Sequence, residues 1–400
     1  MPDATALAFA ALLLVGGAAK AGAQPLASDP LTEDSFHRAM VSLYNLDYED
    51  ARAEVRRLLI AQPSNPLAYL GEAGLLWWQA EAEYGLFRDS PTMSAVFEQD
   101  VLNAISLAER LAGSKDPVRQ ADGHFVAGMG WGVHGQAELQ RGNWLKAYSD
   151  GKKAIKHLKK CVKIDPEYQD AYLGLGIFDY QTDRLPAALK LPMLFVHRGD
   201  AKRGIARILQ SMEKGRFARD QAGAFLLSIY MKEGDWDSAL PLLRRLREQF
   251  PQSAYFRYRE ASLLAMRGDW DASYRDVLEI LSLSSSEPDL LGRKQLSLFC
   301  GLVGTQCLDQ TYTSALVRWL DRALAEPSSA RWTSLLYLYR GMARDVLGQR
   351  VDAVHDYSKA VAARDVPPAH EYARRCLGSA CDRDETLRIL KELARKGGGP

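Results

Sequence analysis

The tetrad Gly234-Asp235-Trp236-Asp237 returns as Gly268-Asp269-Trp270-Asp271, an offset of 34 residues. A motif that recurs at such an interval marks a repeated supersecondary unit, which restricts the chain to a stacked array. Around the first copy, Leu226, Tyr230 and Gly234 are followed by Ala239, Leu243 and Leu246, and then by Pro251. The apolar positions advance by three and four, the period of a helix. Gly234 suits the left-handed residue that closes a first helix, and Pro251 stands where a second one must stop. Each unit therefore reads as two helices joined by a tight turn.

Less regular copies surround this pair. Tyr48, Ala51, Leu58 and Pro63 look like the second half of a unit, and Tyr69 and Ala73 begin the next. Trp144, Ala147, Ala154 and Pro166 repeat the pattern, followed by Tyr172, Leu175 and Gly176. Near the C-terminus it returns in Tyr337, Gly341, Gly348, Ala353, Tyr357 and Ala360. Two departures stand out: a helix over Phe97–Leu111 with a longer connection before it, and an insertion over Leu185–Gly199. No stretch alternates apolar and polar residues as a strand requires. The expectation is an all-α array of about eight to ten hairpins.

Composition excludes other classes. With 47% hydrophobic and 25% charged residues, the chain is too apolar to stay disordered. A net charge of +1 gives no global attraction to nucleic acid or an anionic membrane. Ala6–Val15 is an apolar run ahead of Ala21-Gly22-Ala23, whose small flanking residues suit a signal-peptidase site. The segment before that run lacks Lys and Arg, which leaves an uncleaved anchor or a chance leader open. The resulting division is a signal peptide over 1–23, a linker over 24–34, a helical array over 35–380, and a capping helix with a flexible tail over 381–400. The clearest units are 220–253, 254–285 and 334–367, and Leu387, Leu390 and Leu393 are expected to face inward from the cap. Five cysteines make an incomplete disulfide framework. Cys300 and Cys307 are too far apart along one helix to pair, whereas Cys376 and Cys381 flank a turn that allows a bridge or leaves two buried thiols.

The 34-residue units resemble the tetratricopeptide-repeat family over most of residues 35–365. The stretch Tyr172-Leu173-Gly174-Leu175-Gly176-Ile177-Phe178-Asp179-Tyr180, through Leu185-Pro186 to Gly199-Asp200 and Gly204, is similar to a group of exported bacterial repeat proteins of mostly uncharacterised activity. The resemblance implies a right-handed superhelical solenoid, a periplasmic or secreted location in the bacterial cell envelope, and a non-enzymatic scaffold. In that family the first helix of each unit lines a concave groove. Matched position by position, this implies a partner-binding lining of Asp170, Leu173, Ile177, Tyr180, Gln181, Gln221, Ser228, Met231, Lys232, Tyr255, Tyr258, Ser262 and Met266, with Leu335, Leu338, Met342 and Asp345 in the last unit. The lining suits a protein or peptide docked by Tyr and Met, with Tyr255 and Tyr258 as an anchor pair. No nucleic acid, cofactor or metal is expected, and no membrane segment after the leader.

Other constellations carry weaker readings. Trp77-Trp78 with Glu81, Glu83 and Tyr84 offers a sugar platform or ordinary packing; Glu81 and Glu83, two apart on a helix, point to different faces. His134 beside Trp131, and His197 through Arg203 in the insertion, are the places where an enzyme or a small-ligand or glycan receptor would put its site. Neither has a metal-ligand motif. Gly128, Gly130 and Gly132 lack the strand and the Lys-Ser or Lys-Thr of a phosphate loop and read as close helix packing. Lys152, Lys153, Lys156, Lys159, Lys160 and Lys163 lie opposite Ile155, Leu158 and Val162 on an amphipathic helix. That helix is either a solvated outer face or a contact for a membrane, glycan or nucleic acid.

Overall fold

The structure, a computed structural model, describes residue 26 and residues 29–84, 91–184, 199–267, 310–325, 330–363 and 369–395, with scattered positions over 269–280. Among the described residues, sixteen α-helices follow one another without a strand. They are α1 Pro30–Tyr44, α2 Tyr48–Ala61, α3 Pro66–Tyr84, α4 Pro91–Ala112, α5 Pro117–Gln140, α6 Trp144–Ile164, α7 Ala171–Asp183 and α8 Ala201–Lys214. Then come α9 Arg219–Glu233, α10 Trp236–Gln249, α11 Ala254–Arg267, α12 Gln310–Ala325, α13 Ala330–Val346, α14 Arg350–Ala362, α15 Ala369–Gly378 and α16 Arg383–Arg395.

Local chemistry sets these boundaries. Asp29, Asp47, Asp116, Asp200 and Asp235 each stand ahead of a helix and accept a first-turn backbone N–H, satisfying a donor that has no partner within the helix. Gly142, Gly234 and Gly348 turn the first helix of a hairpin into the second with φ of +83°, +70° and +76°. This is the left-handed conformation a glycine adopts without a Cβ penalty. In the first hairpin Leu46 takes that role at φ +65°, an uncommon conformation for a residue with a side chain.

Packing follows chain order. Helices pair as α1–α2, α3–α4, α5–α6, α7–α8, α9–α10 and α13–α14, each hairpin leans on the next, and the first helices α1, α3, α5 and α7 touch in series. A hairpin has one apolar stripe that it cannot bury alone, so the core is a chain of clusters rather than one centre. Small residues allow the approach. A Cβ on Gly176 would lie 2.7 Å from the Gly204 carbonyl, so α7 and α8 meet backbone to backbone. A Cβ on Gly128 would sit 2.7 Å from Leu158, and one on Gly130 2.8 Å from Ile105, which bears out the close-packing reading there; Gly132 has room.

One boundary moves. The array starts before residue 35, because Asp29 caps α1 at Pro30 and Leu26 is buried, donating its N–H to the Asp122 carboxylate at 2.7 Å. At the other end α16 buries Ile389 and Leu393; the side chains of Leu387 and Leu390, the leader 1–23 and the tail after 395 lie outside the described residues. Cys376 and Cys381 form a disulfide with Cα atoms 5.3 Å apart. Cys161 is a buried free thiol, pushed up by burial and by nearby Asp122; Cys300 and Cys307 lie outside the described residues.

Candidate binding surface

The inner helices α7, α9 and α11 carry the predicted lining, and the structure divides it. Leu173, Tyr180, Met231 and Tyr258 are buried. They serve as packing between units, because their helix faces are covered by neighbouring helices. Asp170 is buried as well: its Oδ1 accepts the backbone N–H groups of Arg216, Phe217 and Ala218 at 2.7–2.9 Å, tying down the α8–α9 turn. Leu335, Leu338 and Met342 are core residues of the C-terminal cluster, and Asp345 is held by Arg350, Tyr357 and the Cys381 N–H. Gln181, Gln221 and Lys232 remain exposed, while Ile177, Ser228, Tyr255 and Ser262 are half-buried. The side chain of Met266 lies outside the described residues. Arg259, which the family pattern does not mark, reaches from α11 to Ser228 Oγ on α9 at 3.4 Å, and so belongs to the same strip.

The half-burial of Tyr255 has a distant cause. The first inner helix, α1, folds back against α11. Tyr44 stacks on Tyr255 with ring centroids 5.8 Å apart, and meets Phe250 at 5.0 Å and Phe256 at 4.8 Å. Trp78 closes edge-on over Tyr255 at 5.3 Å, and Ser253 Oγ donates to the Tyr44 carbonyl at 2.7 Å. Further along the same seam, Phe36 packs on Phe217 and Arg216 pairs with Glu33. Tyr255 and Tyr258 are therefore not an open anchor pair. Tyr255 is taken up by the closure onto the N-terminal unit, and Tyr258 is buried.

The remaining candidates are clusters of charge. His134 is buried, with Nδ1 2.7 Å from Asp150 and Nε2 2.9 Å from Glu98. Glu98, His134 and Glu138 place three donor atoms within 4.8 Å of one another. Arg141, however, donates to both carboxylates, at 2.8 and 2.6 Å, and so already supplies the cation. Burial works against ionisation of Glu98 and Glu138, yet hydrogen bonds, with Arg141 common to both, hold both carboxyls below their ordinary value. Trp131 lies under the Lys153 ammonium, 3.5 Å from its ring centroid. At the insertion, Asp183, Arg184 and residues 199–203 border a depression of about 600 Å³; His197 lies outside the described residues. Arg203 there is turned to the fully buried Asp179, donating at 2.9 and 2.6 Å, and Arg207, one turn on, joins it. The same design recurs in the C-terminal unit, where Arg340 and Arg344 clamp the fully buried Asp356. Two arginines at i and i+4 facing an Asp within an apolar helix would have betrayed both clamps in the sequence. Trp77 packs on Phe97, with ring centroids 5.8 Å apart, and Trp78 on the closure seam; the side chains of Glu81, Glu83 and Tyr84 lie outside the described residues.

Residues 226–287 match a family described as Tetratricopeptide repeat. No curated protein matches this sequence. Among solved structures, the human IFIT1 dimer with m7Gppp-AAAA is 12% identical and aligns over 92% of this chain and 88% of its own, with a TM-score of 0.47. Yeast Tom70 is 13% identical over 93% of this chain and 86% of its own, with a TM-score of 0.43. A tetratricopeptide repeat protein from Parabacteroides merdae is 16% identical over 90% and 100%, with a TM-score of 0.29. All three scores fall below 0.5, so none of these likenesses weighs on fold or function. The family match instead coincides with the α9–α10–α11 region, where Gly234 closes α9 in the left-handed conformation, and that segment of the chain carries tetratricopeptide repeats.

Proposed function

We propose that this protein is a non-enzymatic scaffold that holds a segment of a partner protein against the inner strip of α7, α9 and α11. Protein–protein interaction is what tetratricopeptide repeats generally serve. The observation that carries the reading is the split of the inner positions: while their neighbours on the same helices are buried, Gln181, Gln221 and Lys232 stand exposed beside the half-buried Ser228 and Ser262. Lys232 and the nearby Arg259 favour a polar or acidic segment over an apolar helix. The buried charge clusters support a scaffold as well, since arginines within the fold engage their carboxylates.

Export to the cell envelope belongs to the same proposal. It is supported by the leader-like residues 1–23 and by the Cys376–Cys381 disulfide, a bond that persists in oxidising compartments. A photo-crosslinking residue placed at Gln221 or Lys232 in cells tests the binding surface. A discrete adduct with one polypeptide, absent when the label sits at the outward Lys159, is the expected result. No adduct from either inner position would reject it.

A further inference from the structure

α6 presents a second surface, on the side opposite its buried residues Ala154, Leu158 and Cys161. At 100° per residue, Leu145, Ser149, Lys152, Lys156, Lys159 and Lys163 fall on one stripe of its surface, with Lys160 beside it. All are exposed, and the stripe runs about 27 Å. Lys152, Lys156, Lys159, Lys160 and Lys163 make no ion pair among the described residues. The only carboxylate of α6, Asp150, is turned inward to His134 and Lys153. Like charges this close repel one another, and a fold gains nothing by leaving them uncompensated unless something outside supplies the counter-charge. At the N-terminal end of the stripe Leu145 is 88% exposed and Trp144 56%.

The geometry points to docking of this stripe on an anionic phospholipid bilayer, the lysines over the headgroup phosphates and Leu145 and Trp144 entering the interfacial layer. Three features favour a bilayer over a polynucleotide. The stripe is a ridge on one helix, whereas single strands are held in basic grooves. Its cations are all ammonium groups, without the planar guanidinium fork that grips phosphodiesters and bases. A fully exposed leucine gains from burial in an interface and gains little against a sugar–phosphate backbone, while Trp prefers the headgroup depth. With a net charge of only +1 on the whole chain, the attraction is local to this face and orients it.

Co-sedimentation of the full chain with vesicles of phosphatidylglycerol and phosphatidylcholine in equal parts tests this. The wild type should bind these vesicles, release them as salt rises, and ignore pure phosphatidylcholine. Lys152→Gln, Lys156→Gln, Lys159→Gln and Lys163→Gln combined should weaken partitioning roughly a thousand-fold, and Leu145→Ser alone about ten-fold. These side chains are exposed, so unchanged circular dichroism is expected and separates docking from folding. No binding of the wild type to the anionic vesicles, undiminished binding by the quadruple variant, or tighter binding to a single-stranded polynucleotide than to the vesicles would each overturn the proposal.

Discussion

The hairpins α7–α8 and α9–α10 are neighbours in one array, yet different physics holds them together. In α9–α10 the contact is apolar throughout: Ala222, Leu226, Leu227, Ala239, Leu243 and Leu246 are buried, and no buried polar side chain occurs between residues 219 and 249. In α7–α8 the backbones touch at Gly176 and Gly204, and a fully buried carboxylate, Asp179, is clamped by Arg203 and Arg207. The apolar hairpin can be built from many sequences that keep size and period, whereas the clamp depends on three particular residues. The family match, accordingly, falls on the apolar hairpin and its successor and not on the clamped one.

The sharpest way to break this contrast is to remove the clamp's cations. Arg203→Ala with Arg207→Ala strips both guanidinium groups from a carboxylate with no exposure to water, at a cost of about 4 kcal/mol. Hydrogen exchange across α7 and α8 should show the loss concentrated there. Next comes Leu243→Ala in the apolar hairpin, which removes a fully buried side chain at a cost of about 3 kcal/mol. Its urea-denaturation cost should not change with salt, whereas that of the double Arg variant should.

Acid sharpens the comparison at a third hairpin, α5–α6. Burial, with His157 and Lys160 adding to it, holds His124 down to about 4 from an ordinary 6.5. Between those values the unfolded chain binds a proton that the folded ring refuses, so stability falls as pH drops through this window. The loss is on the order of 2 kcal/mol by pH 4. His124→Asn should flatten that part of the stability–pH curve, while α9–α10, which contains no histidine, should keep its local exchange protection over the same range.

What the sequence revealed, and what it hid, follows from the range of the interactions. The turn at Gly234, the stop before Pro251 and the close packing at Gly128 and Gly130 depend on contacts within one or two helices, and period and residue size disclose them. Asp170 fits an inner-groove position by pattern, but a turn 46 residues downstream claims its side chain. Tyr255 matches the groove equally well. Its fate is decided by Tyr44, two hundred residues upstream, and no periodicity encodes the return of α1. Gln181, Gln221 and Lys232 are exposed because, among the described residues, nothing comes back to cover them.

That return of α1 onto α11 is the feature on which the shape of the inner surface depends. A double-mutant cycle of Tyr44→Ala and Tyr255→Ala, read by urea denaturation, measures it directly. Stacked rings 5.8 Å apart should couple by about 1 kcal/mol although the residues are far apart in sequence. Strict additivity of the two substitutions would mean that the rings do not meet, and that the inner face is open where the structure closes it.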